Sequence, residues 1–145
     1  MTYYLSLGAN LGNREQTIRE AIHRIEQQIG EVPCCSSFYY SEPWGFQSEN
    51  GFCNICCELL TDKAPLEVLR LTQAIEQALG RTHKTTDAHY TDRIIDIDLI
   101  QAFDEEGKEI KEHMTDDQMV KILSLPHPLW QQRDFVKIPL REITT

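Results

Sequence analysis

The sequence predicts an α+β fold: an antiparallel sheet with helices packed on one face. Three observations carry that expectation. Apolar residues alternate with period two in three stretches, a fourth stretch also reads as a strand, and apolar residues recur at helical spacing in two others. The stretches follow one another as strand, helix, strand, strand, helix, strand. Glycine and proline punctuate the joints between them.

Tyr3, Leu5 and Leu7 alternate with polar or small residues, and Gly8 to Gly12 reads as the loop that ends this first strand. Asn13, with Gln16 three residues on, has the form of a capping pair. Ile18, Ala21, Ile22, Ile25 and Ile29 then mark one face of a helix that stops at Gly30. Val32 to Tyr40 reads as a second strand. Ser41 to Gly51, with Pro43, Gly45 and Gly51, reads as a loop. From Phe52 to Leu60, Cys53, Ile55, Cys57 and Leu59 share one face and Phe52, Asn54 and Cys56 the other, so this third strand should be half buried.

Pro65 suits the first turn of a second helix, whose apolar face is Val68, Leu71, Ile75, Ala78 and Leu79 and whose stop is Gly80. Thr82 to Asp92 is polar and aperiodic, which predicts a loop before a fourth strand from Arg93 to Phe103. The order is a β-α-β-β-α-β, ferredoxin-like core, whose second sheet face is left for a site. Additional C-terminal elements are expected: an acidic turn at Asp104 to Lys108, a short helix near Asp116 to Leu123 begun by Thr115, a helical turn near Leu129 to Arg133, and a last strand near Phe135 to Ile138.

At 145 residues the chain should form one domain, residues 1–145, with a core that needs no staples. No apolar run approaches the ~20 residues of a membrane helix, and Met1 to Leu5 has neither the basic start nor the long apolar segment of a signal peptide. A cytoplasmic protein with no membrane partner is expected, working as a monomer. The net charge of -9 argues against a nucleic-acid partner, because affinity for a phosphate backbone needs a basic surface. Arg81, Lys84, Arg93 and Arg133 nevertheless form a local positive field suited to a polyphosphate. The five cysteines lie in strand-like text and read as buried free thiols, since Cys53 and Cys56 would point to opposite faces and share no ion.

The chemistry concentrates in Arg93-Ile94-Ile95-Asp96-Ile97-Asp98-Leu99. Strand period puts Ile95, Ile97 and Leu99 toward the core and Asp96 and Asp98 together on the other face, roughly 6.6 Å apart along the strand. Like charges so placed repel unless a cation lies between them, and a hard oxygen pair suits magnesium carried with substrate phosphates. A solvated outer strand face is the alternative. Arg93 favours the metal reading, because phosphoryl transfer uses metal and guanidinium around one developing charge.

Five stretches in order resemble the 6-hydroxymethyl-7,8-dihydropterin pyrophosphokinase family. They are Leu7-Gly8-Ala9-Asn10-Leu11-Gly12; Ser41-Glu42-Pro43-Trp44-Gly45 with Gln47; Phe52-Cys53-Asn54; Glu76 with Gly80-Arg81 leading into Asp92-Arg93-Ile94-Ile95-Asp96-Ile97-Asp98; and Leu125-Pro126-His127-Pro128 with Arg133, Phe135, Val136, Pro139 and Leu140. The resemblance implies transfer of pyrophosphate from ATP to a reduced pterin, 6-hydroxymethyl-7,8-dihydropterin, as a step of folate biosynthesis, with two magnesium ions held by Asp96 and Asp98. It implies Arg81 and Arg93 as catalytic cations, with Lys84, His127 and Arg133 also on the triphosphate and Leu69 and Gln73 nearer the nucleotide. It places the pterin between Phe52 and Phe135, read by Asn54 and by the backbone of Ser41, Pro43 and Trp44. Tyr90 would close over it, at a loop where relatives commonly carry tryptophan.

Read from the residues alone, Phe52 serves equally as core packing, His127 as a turn histidine, Arg133 as a solvated arginine and Glu76 as a surface glutamate. A nucleotidyl transferase with the same metals and a ferredoxin-like binding module are the competing functions.

Overall fold

The structure, a computed structural model, describes residues 1–41, 51–80, 94–119 and 121–144. The core elements form in the expected order: β1 (Thr2–Ala9), α1 (Arg14–Gln28), β2 (Glu31–Cys35), β3 (Tyr39–Ser41), β4 (Phe52–Leu60), α2 (Pro65–Ala78) and β5 (Asp96–Phe103). β6 (Glu112–Thr115), β7 (Lys121–Leu125), a 3-10 turn (Trp130–Gln132) and α3 (Asp134–Thr144) follow. The sheet is antiparallel in the order β2-β4-β1-β5, with β3 also paired to β4.

Asn13 caps α1 as expected, its Oδ1 accepting the Gln16 N–H at 3.1 Å. Pro65 opens α2, and Gly80 beyond its end takes a φ of +112° that only glycine adopts without strain. One layer of core lies between these helices and the sheet: Ile18, Ala21, Ile25, Val68 and Ile75 meet Tyr3, Leu5, Leu7, Cys53, Ile55, Leu59, Ile97 and Leu99. Each fully buried Leu, Ile or Val side chain there contributes about 1.5–3 kcal/mol.

The second sheet face is not wholly free. Val136 and Leu140 of α3 pack on Cys56 and Ile100, so β4 is buried on both faces rather than half buried. A bulge in β5 creates this contact. Tyr4 pairs with Gln101 and Leu5 with Leu99, which leaves Ile100 as the extra residue and turns it toward α3.

Several expected boundaries and elements are corrected. β1 runs through Gly8 to Ala9, past the point where a loop was expected, because both residues pair with β4. The expected second strand is two strands, interrupted at 36–38, where the Ser36 hydroxyl takes the Cys56 N–H at 2.9 Å in place of a backbone carbonyl. The segment after Thr115 is a hairpin and not a helix: Asp116 accepts the Gln118 N–H at 2.8 Å, Met119 adopts a φ of +64°, and β6 pairs antiparallel with β7. Phe135 to Ile138 lies within α3 and not in a strand. Phe135, Val136, Leu140 and Ile143 form one helical stripe against the sheet, and that burial offsets the hydrogen bond forgone at Pro139. The acidic turn at Asp104 to Lys108 forms as expected, with Asp104 accepting the Glu106 and Lys108 N–H groups. All five cysteines are free, but Cys34 and Cys35 are exposed, because β2 is an edge strand.

Candidate active site

β5 sets the first two groups. Asp98 stands opposite Ser6 and Asp96 opposite Gly8, while Ile97 between them faces the core. Both carboxylates are therefore on the α3 side of the sheet, and both are half exposed. The peptide between them is tied from the other direction: Glu76 of α2, only 5% exposed, accepts the Ile97 N–H at 2.7 Å. Glu76 is thus not the surface residue that its helix position suggested. β5 is an edge of the described sheet, and a buried carboxylate satisfies an N–H that no further strand pairs.

The next row runs across the sheet from Asp96 through Gly8 of β1 to Asn54 of β4 and Tyr39 of β3. Asn54 is 5% exposed and shares its face with Phe52 and Cys56 by strand alternation. Phe52 pairs with Ser41, and the stem they make is clamped to α1: Arg14 Nη1 donates to the Gly51 carbonyl at 2.8 Å and the Tyr40 hydroxyl donates to Glu15 at 2.8 Å. Phe135 packs against the Cys56 cluster, on the same sheet face.

His127 enters from the segment after β7. Its N–H donates to the carbonyl of the bulge residue Ile100 at 2.8 Å, and its Nδ1 accepts the Leu129 N–H at 3.2 Å. The ring proton of the neutral form is therefore on Nε2. Burial pushes the His127 pKa down, Arg133 and Lys121 push it further, and Asp96 opposes them. Those charges place His127, Arg133 and Asp96 in one electrostatic neighbourhood. The Arg133 guanidinium lies 5.8 Å from the centre of the Phe135 ring.

The structure so brings together Asp96, Asp98, Asn54, Phe52, Phe135, His127 and Arg133 on one face. Leu69 and Gln73 sit on α2, behind β5, Leu69 half buried and Gln73 exposed. Arg81, Lys84, Arg93, Pro43, Trp44 and Tyr90 lie outside the described residues. Sequence reasoning did not see Ser6 and Gly8 as partners of the two aspartates. A glycine inside an alternating strand was the available signal, since it marks close approach of another group.

The donor set suits a hard cation. Among the described residues no three His, Cys, Asp or Glu side chains cluster as a metal cage, and two carboxylates on one face leave the remaining positions of a magnesium ion to water and phosphate oxygens. A hollow of about 430 Å³ lies at the far end of the same face, between Tyr4, Gln101, Phe103 and Trp130, and contains none of these groups. Chemistry and not concavity locates the site.

The family model described as 7,8-dihydro-6-hydroxymethylpterin-pyrophosphokinase (HPPK) matches residues 4–145. A relative from Porphyromonas gingivalis, named 2-amino-4-hydroxy-6-hydroxymethyldihydropteridine pyrophosphokinase, is 39% identical over 97% of this chain and 88% of its own length. One of the same name from Bacillus subtilis is 35% identical over 97% of this chain and 76% of its own. The crystal structure of Plasmodium falciparum HPPK-DHPS with pteroate superposes with a TM-score of 0.72 at 15% identity, covering 97% of this chain and 38% of that one; it bears on the fold alone.

Proposed function

The chain belongs to the 7,8-dihydro-6-hydroxymethylpterin-pyrophosphokinase family, and we propose how its own residues carry that family's reaction. It is a pyrophosphokinase: it transfers pyrophosphate from ATP to the hydroxymethyl group of 6-hydroxymethyl-7,8-dihydropterin, a step of folate biosynthesis. The alcohol oxygen bonds to the β-phosphorus, the bond from that phosphorus to the α-phosphate oxygen breaks, and AMP leaves.

Asp96 and Asp98 would hold two magnesium ions. Bound there, magnesium supplies charge neutralisation and Lewis acidity at the phosphate oxygens. The observation that carries the reading is the position of both carboxylates on one face, on a strand whose intervening peptide Glu76 holds still. Electrostatic stabilisation works best when the groups need not reorganise as charge develops.

His127 serves as a donor. Its Nδ1 is occupied by the Leu129 N–H, so its Nε2–H is the group that faces a phosphate oxygen. Arg81, Lys84, Arg93 and Arg133 complete the cationic surround of the triphosphate, and Leu69 and Gln73 contact the nucleotide. The pterin ring stacks between Phe52 and Phe135, with Asn54 and the backbone of Ser41, Pro43 and Trp44 reading its edge and Tyr90 over it. An amide offers donor and acceptor together, which matches the edge of a pterin. Residues 1–145 act as one domain, as a monomer in the cytoplasm.

The test is to incubate the purified protein with ATP, magnesium and 6-hydroxymethyl-7,8-dihydropterin and to resolve the nucleotides. AMP formed in step with pterin consumption is expected. ADP, or pyrophosphate with a nucleotidylated product, would overturn the assignment.

A further inference from the structure

Gly8 stands in the middle of a strand, paired to Asn54 on one side and to Asp96 on the other. Its φ lies outside the left-handed region, so its backbone conformation is one that any residue adopts. Space, and not conformation, is what excludes a side chain. A Cβ built on Gly8 would lie 2.3 Å from Asn54 Oδ1 and 3.3 Å from its Cγ. The Asn54 amide therefore leans from β4 over Gly8 toward β5, across the place where alanine would put a methyl group. Asn54 is 5% exposed, which leaves the amide little room to swing elsewhere.

We propose that Gly8 is a positioning residue for the pterin substrate: by having no side chain it lets the Asn54 amide lie over β1, at the edge of the Asp96 site. The proposal rests on the reading of Asn54 as the group that recognises the pterin edge. With alanine at position 8 the amide must rotate by roughly an ångström or more to restore ordinary contact, and an amide turned from its partner forfeits its hydrogen bonds to the ring. Of the described residues proposed to hold magnesium and triphosphate, Asp96 and Asp98 lie on β5 and His127 and Arg133 beyond it, and none of them is among the atoms nearest a methyl group on residue 8. The consequence is selective: recognition of the pterin fails while that of ATP persists.

The test uses Gly8→Ala, Asn54→Ala and the double variant. Gly8→Ala should raise the KM for 6-hydroxymethyl-7,8-dihydropterin about 10- to 100-fold and move the KM for ATP by less than about twofold. In the Asn54→Ala background the same change should add less than about twofold, since the amide it displaces is gone. The side-chain amide resonances of Asn54 in labelled protein should shift in Gly8→Ala without any ligand. Unmoved resonances would overturn the proposal, as would an equal further loss in the double variant. Moved resonances with a normal pterin KM in both single variants would overturn it differently, by removing Asn54 from substrate recognition. Should Gly8→Ala fail to fold, the double variant is expected to fold and melt near Asn54→Ala; a double variant that also fails to fold would show that the conflict is not with Asn54.

Discussion

The Glu76 carboxylate accepts the Ile97 N–H at 2.7 Å, so a buried acid on α2 holds the peptide that separates Asp96 from Asp98. Edge strands fray because half of their backbone groups lack a partner strand. Here the N–H nearest the site is satisfied from a helix, and the two carboxylates are held at one spacing. Glu76→Ala should lose about 1.5–3 kcal/mol of stability, the range for a hydrogen bond to a charged group, or about 3–12 °C in melting temperature. It should also raise the magnesium concentration needed for half-maximal activity. Glu76→Gln keeps a carbonyl acceptor and should lose less on both counts. Melts and magnesium titrations of the three proteins check this; equal magnesium requirements would remove Glu76 from the organisation of the site.

Asp96→Ala and Asp98→Ala should each lower the rate of AMP formation by at least ~100-fold, because each removes a proposed metal ligand. Neither residue belongs to the apolar core, and each change relieves the repulsion between two like charges on one face. Both variants should therefore fold, with melting temperatures near the parent in the absence of magnesium. Near-normal turnover in either variant would count against the metal assignment.

The Cys35 and Cys57 sulfurs lie 2.9 Å apart in directly opposed positions of β2 and β4. Cys35 is at the surface and Cys57 is buried. The hydrogen bond between the two sulfurs pulls the Cys35 pKa below its ordinary value and, together with burial, pushes the Cys57 thiol up. The thiolate is the reactive form, so Cys35 should be alkylated by iodoacetamide at neutral pH severalfold faster than in Cys57→Ala, where the donor is gone. Peptide mass spectrometry over a time course reads both rates; equal rates would show that the pair is not hydrogen bonded in solution.

What was legible in the sequence is what short-range pattern controls. Asn13 with Gln16, Pro65 at a helix start, and the alternation that puts Asp96 and Asp98 on one face all act within a few residues, and all appear in the structure. What was missed depends on distant partners. Pro139 argues against a helix locally, yet α3 forms because Val136 and Leu140 find Cys56 and Ile100 on the sheet. Thr115-Asp116 resembles a helix start, but Asp116 spends its carboxylate on a turn that lets β7 return along β6. Glu76 looked like surface until β5, 21 residues on, supplied the N–H that buries it. In the site, the carboxylate pair was visible and its supports were not, because Gly8 and Glu76 act through cross-strand and helix-to-strand contacts that no local period encodes.

His127 gives the last prediction, which separates two roles for one ring. As a general base it would need a free ring nitrogen, but Nδ1 accepts the Leu129 N–H at 3.2 Å and Nε2 carries the proton. Only donation remains. Burial, then Arg133 and Lys121, hold its pKa below the usual histidine value. The folded state thus takes up the ring proton less readily than the unfolded chain, whose histidine titrates near 6.5. Stability should therefore be unaffected by this group above about pH 6.5 and should fall as pH drops through and below that value, where the unfolded chain binds the extra proton. His127→Gln retains a donor and does not titrate. Its melting temperature relative to the parent should stay level from pH 7.5 to about pH 6.5 and rise from there to about pH 5, while its rate at neutral pH should fall by no more than about tenfold, as expected for loss of one phosphate contact and not of an essential base. Melts across that pH range and initial rates of AMP formation decide the matter. A loss of about 1,000-fold or more would reinstate a base and contradict the hydrogen bond to Nδ1.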